Sequence, residues 1–136
     1  MGTDLYYTIP PFFEERMAEH SMVQSCQRLP VADEYLYQIG RRRFGDVVTI
    51  WLADQYHFTD IDYYNRPSQL QAGDYILVAK PEGTADVRRQ LVEGAKIGVG
   101  KLGELMGALN KREMWKYVPP TDDEKSERQR RSGRIG

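Results

Sequence analysis

Val47-Val48-Thr49-Ile50-Trp51-Leu52-Ala53 is seven residues of β-branched, aromatic and aliphatic side chains without an interrupting charge. A strand with one wet face alternates apolar with polar; an unbroken run is a strand covered on both faces, as at the centre of an α/β sheet. A second such run, Tyr75-Ile76-Leu77-Val78-Ala79, follows Gly73-Asp74 and ends at Pro81. Two covered strands with helical segments around them define an α/β domain with a small, largely parallel or mixed sheet flanked by helices.

Working outward, Glu34 to Ile39 alternates in part and reads as a half-exposed strand, closed by Arg41-Arg42-Arg43 and Gly45. Thr59 and Asp62 stand at capping-box spacing and open a short helix that stops near Pro67. Thr84 is placed to cap a helix over Ala85 to Gly94, and Lys96 to Gly100 reads as a very short strand. Leu102, Leu105, Met106 and Leu109 fall at i, i+3, i+4 and i+7, the clearest amphipathic helix of the chain. Towards the start, Leu5 to Ile9 reads as a short strand. Pro10-Pro11 then leads into a helix that carries Phe13, Met17 and Cys26 and ends by Arg28-Leu29-Pro30.

Composition bounds the rest. Leu, Ile, Val and Phe number 30 of 136, just above the ~20% level at which disorder becomes the better reading. The dilution is concentrated in Thr121 to Gly136, where Ile135 is the only large apolar residue. The expected organisation is one domain over 1–120 and a disordered charged tail over 121–136. From Arg128 onward there are four arginines and no acid, so a chain of net charge −1 divides into an end of +4 and a remainder of −5. A lone cysteine excludes an intramolecular disulfide framework, and no apolar run is long enough for a membrane span. With no basic start and apolar run at Met1 to Ile9, the expectation is a soluble cytoplasmic protein.

Three places carry chemistry. The first is the rim beyond the strand ends, where α/β sheets bind ligands: Asp54, Tyr56 and His57, then Lys80, Glu82 and Thr84, then Gly98, Gly100 and Lys101. Their functional reading is an anionic-ligand or metal-dependent site; the competing reading is that strand ends are polar because loops are wet. The second is Gly98-Val99-Gly100-Lys101-Leu102-Gly103, which matches G-x-G-x-x-G. It is either a phosphate cradle formed by Gly98, Gly100, Lys101 and Gly103, or a place of close packing, and packing is the preferred reading. The third is basic: Arg41, Arg42 and Arg43 beside Tyr35, Tyr37 and Phe44, then Arg88-Arg89, Lys111-Arg112, and Arg128, Arg130, Arg131 and Arg134 of the tail. Charge mixed with aromatics suits phosphate and base contacts.

The order of elements from Glu34 to Asn110 resembles nuclease folds of the PD-(D/E)XK type, in which a central strand carries a D/E-x-K triplet. The resemblance implies Asp74 or Asp46 as a first metal ligand and Lys80 as the motif lysine. The triplet here is Val78-Ala79-Lys80, with valine where the family has a carboxylate. It therefore implies either an inactive relative that keeps a nucleic-acid-facing surface, or a rearranged site in which Glu82 takes part. The leading expectation is a non-catalytic accessory module that binds nucleic acid, or a protein of a nucleic-acid system, through Arg41–Arg43 and the tail. No cofactor is required. The alternatives are a nuclease or phosphoesterase using Asp54, His57, Asp74, Lys80 and Glu82 with magnesium or manganese, and nucleotide binding at Gly98–Gly103. Tyr63, Tyr64 and Trp115 are aromatics without an assigned place inside, which suits a homo-oligomer.

Overall fold

Val47–Ala53 lies at the middle of a five-stranded sheet. The computed structural model describes residues 8–118. In chain order the elements are α1 (Ile9–Glu19), β1 (Val23–Arg28), β2 (Tyr35–Arg41), β3 (Val47–Ala53), β4 (His57–Thr59) and α2 (Asp60–Tyr64). There follow β5 (Tyr75–Val78), β6 (Thr84–Asp86), α3 (Arg89–Ala95), β7 (Gly98–Gly100), α4 (Leu102–Ala108) and a 3-10 turn at Met114–Lys116. The sheet order is β1-β2-β3-β5-β7. The first three strands pair antiparallel, and β3, β5 and β7 pair parallel. The sheet is therefore mixed. β4 and β6 form a separate two-stranded parallel pair.

The covered run on β3 divides by pleat. Val48, Ile50 and Leu52 pack with Phe13 and Met17 of α1, Leu105 of α4 and Leu109 just beyond it. Trp51 and Ala53 pack on the other face with Phe58, Tyr63 and Val92. Helices thus cover both faces, which is why neither face of β3 or β5 is polar. Tyr63 is buried, with its hydroxyl donating to the Ile97 carbonyl at 2.7 Å. Tyr64 is exposed and Trp115 is half-buried.

Three local expectations are corrected. Cys26 lies on β1, opposite Ile39, and not on a helix. The helix stops at His20, whose backbone is extended, and whose Nδ1 accepts from the Met22 N–H at 3.1 Å. Its Nε2 therefore carries the proton and donates to the Met106 carbonyl at 3.0 Å, tying α1 to α4. Thr84 starts β6 rather than a helix: its N–H donates to the Tyr56 carbonyl at 2.7 Å, and α3 begins only at Arg89. Ile9 opens α1 and is not a strand residue; the remainder of the proposed Leu5–Ile9 strand below Thr8 lies outside the described residues, as does the 121–136 tail. The Thr59–Asp62 capping box is present, with the Thr59 N–H donating to Asp62 at 2.9 Å. Among the described residues no helix is long and apolar enough to cross a membrane.

Candidate functional site

Because β3, β5 and β7 run parallel, their carboxyl ends share one rim, and Asp54, Lys80 and Lys101 follow them there. The rim is knitted to itself. The Lys101 ammonium donates to the Lys80 carbonyl and, at 3.2 Å, to that of Pro81. Partial burial holds its pKa below the usual lysine range. Lys80 sits 4.4 Å from the centre of the Tyr56 ring, and His57 Nδ1 is 2.8 Å from Thr84 Oγ1 across the β4–β6 pair. Glu82 is exposed.

Asp74 does not join this rim. It precedes β5, while Lys80 follows it, so the two stand at opposite ends of one strand. Its carboxylate accepts from the Thr49 N–H at 2.8 Å and the Gln71 N–H at 2.7 Å, fixing the entry of β5 against β3. Burial raises its pKa in spite of these donors. Asp46, the other ligand implied by the nuclease resemblance, is paired with Arg41, and Val78 is buried among Trp51, Phe58 and Ile76. Among the described residues no three His, Cys, Asp or Glu side chains converge as a metal requires. Asp54, His57, Asp74, Lys80 and Glu82 therefore do not assemble into a ligand set for magnesium or manganese.

The glycine loop has a packing explanation at two of its three glycines. A Cβ on Gly98 would stand 2.5 Å from the Tyr75 ring, and one on Gly100 would stand 2.5 Å from the Tyr75 hydroxyl. Nothing lies within 4 Å of a Cβ on Gly103. The Lys101 N–H points to the Glu104 carboxylate at 3.5 Å, so an anion of the protein already holds the start of α4. Like charge opposes a phosphate there, and the Lys101 ammonium is turned towards carbonyls. Gly98, Gly100 and Lys101 thus form a packed corner, with open space beside Gly103.

The basic residues divide in a way that their sequence conceals. Arg41 is 1% exposed. Its guanidinium makes a two-point pair with Asp46 at 2.8 and 2.6 Å and donates to the carbonyls of Leu109, Lys111 and Arg112 beyond the end of α4. It is a staple between the β2–β3 turn and that helix end, and it offers no free donor to a ligand. Arg88 is paired with Asp60 at 2.6 Å and Arg89 with Glu93 at 3.3 Å. Tyr37 is buried, with its hydroxyl donating to Glu14 at 2.8 Å, and Tyr35 carries Arg28 on its ring. Neither tyrosine belongs to a basic surface around Arg42.

What remains is a cluster that the Arg41 staple itself assembles. Arg42 and Arg43 of the β2–β3 turn and Lys111 and Arg112 after α4 are exposed. The guanidinium carbons of Arg41, Arg43 and Arg112 lie 4.5, 5.7 and 5.2 Å from the centre of the Phe44 ring. Among the described residues, Arg42, Arg43, Lys111 and Arg112 have no carboxylate partner, and Asp46 is the one acid paired within the cluster. Converging cations with a single counter-charge leave a positive potential that an external anion relieves. Both halves were visible in the sequence; that they are one patch, gathered on Phe44, depends on contacts about seventy residues apart in the chain. Arg128, Arg130, Arg131 and Arg134 lie outside the described residues.

No family model, curated protein or solved structure matches this chain.

Proposed function

We propose that this protein is a non-catalytic module that binds nucleic acid through Arg42, Arg43, Lys111 and Arg112 around Phe44, assisted by the arginines of its tail. One observation carries the reading: the Phe44 ring gathers the Arg43 and Arg112 guanidinium groups, from two segments distant in the chain, into an exposed cluster whose one carboxylate, Asp46, is already paired with Arg41. Planar guanidinium groups match phosphate oxygens two at a time, and a nearby aromatic ring offers a stacking surface to a base. Asp54, His57, Lys80 and Glu82, with Asp74 at the other end of β5, supply no converging set of metal ligands, which supports binding over hydrolysis, since water activation by a metal needs converging carboxylates.

The test is fluorescence anisotropy with a labelled single-stranded oligonucleotide across a salt series. Every phosphate that the protein no longer neutralises should flatten the logarithmic salt dependence by about 0.7 on a single strand, so Arg43→Ala with Arg112→Ala should flatten it by roughly 1.4. Removal of residues 121–136 should weaken binding further. Binding indifferent to salt, or unchanged by the double substitution, would overturn the proposal.

A further inference from the structure

Along the β7 edge, between α3, α4 and the 3-10 turn, lies a cavity of about 170 Å³ whose walls include Tyr75, Glu104, Trp115 and Tyr117. Tyr75 is only 3% exposed, and it forms part of the wall of this cavity. The Tyr75 hydroxyl and the Glu104 carboxylate flank the place that a Gly100 Cβ would occupy, 2.5 and 2.6 Å from it. Gly98 and Gly100 thus leave the room that Tyr75 and the Glu104 carboxylate occupy at the cavity wall. Burial and then Glu104 and Tyr117 push the Tyr75 phenol upward, which keeps it a neutral hydroxyl.

We infer that this cavity binds a small organic cation, an alkylammonium group, against the Glu104 carboxylate and the side chains of Tyr75, Trp115 and Tyr117. Aromatic rings present negative faces to a cation, and a carboxylate balances its charge. Trp115 already draws one cation: the Lys116 ammonium lies 5.1 Å from its ring and is held outside by Glu113 at 3.2 Å. Arg89, the cation on the cavity wall, is answered by Glu93 at 3.3 Å. An anionic ligand would meet Glu104, and a metal would find one carboxylate. Counted at about 30 Å³ for each water-sized volume, the space of about 170 Å³ holds roughly six, enough for the heavy atoms of a tetramethylammonium ion.

Trp51 and Trp115 are the two tryptophans of the chain, so their indole N–H resonances provide a probe and an internal control. Trp51 donates to Glu34 away from the cavity. The full-length protein is titrated with tetramethylammonium chloride, n-propylammonium chloride, sodium chloride and sodium propionate. The two ammonium salts should shift the Trp115 resonance saturably and leave Trp51 in place, while the sodium salts shift neither saturably. Glu104→Gln, which keeps the shape and removes the charge, should weaken both cations roughly tenfold. Tyr75→Phe removes the hydroxyl and keeps the ring; it should weaken propylammonium, whose N–H groups need an acceptor, and spare tetramethylammonium. A Trp115 response to the ammonium salts no different from that to sodium chloride overturns the inference on the unaltered protein alone. Equal affinity in folded Glu104→Gln overturns it as well.

Discussion

Arg41, Arg42 and Arg43 are chemically identical neighbours, yet one is interior and two face water. The difference is position. Arg41 is the last residue of β2, paired with Val23 of β1, and its side chain turns into the space beyond α4. Helix ends leave carbonyls without intrahelical donors, and a guanidinium with five N–H groups can serve several at once. Asp46 then neutralises the buried charge, with its own side chain 37% exposed. Removing one partner of such a pair strands the other, so Asp46→Ala should lower unfolding free energy by roughly 3 kcal/mol. Arg42→Ala, at an exposed position, should change it by less than about 0.5 kcal/mol. Urea denaturation midpoints distinguish the two, and equal effects would remove Arg41 from its structural role. Sequence alone gives no means of choosing among the three arginines, because the carbonyls that select Arg41 belong to residues 109–112.

At the scale of elements, β3, β5 and α4 were legible because each repeats its own period: unbroken apolar runs for the covered strands, and i, i+3, i+4, i+7 for the helix. β1 was not. Its residues Val23–Arg28 are mostly exposed at a sheet edge, so no apolar alternation marks them, and their strand form comes from pairing with β2. β6 is similar: all three of its residues are exposed, and only pairing with β4 extends it. The β7–α4 corner makes a sharper case, since its three motif glycines have different environments. Gly100→Ala should cost about 1–3 kcal/mol, as its Cβ must displace Tyr75 or Glu104. Gly103 has open space and lies inside the first turn of α4, so Gly103→Ala should stabilise by about 0.5 kcal/mol. If both substitutions destabilise alike when compared by thermal melts, the packing account of this loop is wrong.

For the whole molecule, burial moves the Cys26 thiol, the buried phenols and the Asp74 carboxyl in one direction. Burial, and then Glu14, push the Cys26 thiol from 9.0 up to about 11. Burial also raises the phenols of Tyr37, Tyr63 and Tyr75. A raised folded pKa means that the native state keeps protons that the unfolded chain has released. That contribution is complete below the unfolded pKa and is lost as pH climbs to the folded one. For Cys26 the window is pH 9 to 11. Thermal stability should therefore fall through that range, and Cys26→Ala should make the fall shallower by on the order of 1 kcal/mol, discounted for the thiol's partial exposure. A wild-type stability flat from pH 9 to 11 would contradict this. The charge division belongs to the same scale: the β2–β3 turn and the residues after α4 form one positive patch, and the rim beyond β3, β5 and β7 is closed on itself by Lys101 and Lys80.

By itself the sequence determined the α/β class, the two strands covered on both faces, the capping box at Thr59 and the amphipathic α4, because each is a local period or a local hydrogen bond. Only the tertiary structure decided which arginine is buried and that Asp74 stands apart from Lys80. It also decided that Phe44 unites two basic segments and that the glycine loop encloses a phenol and a carboxylate. Those outcomes depend on groups distant along the chain, and a side chain's charge or size carries no record of which distant backbone it will meet.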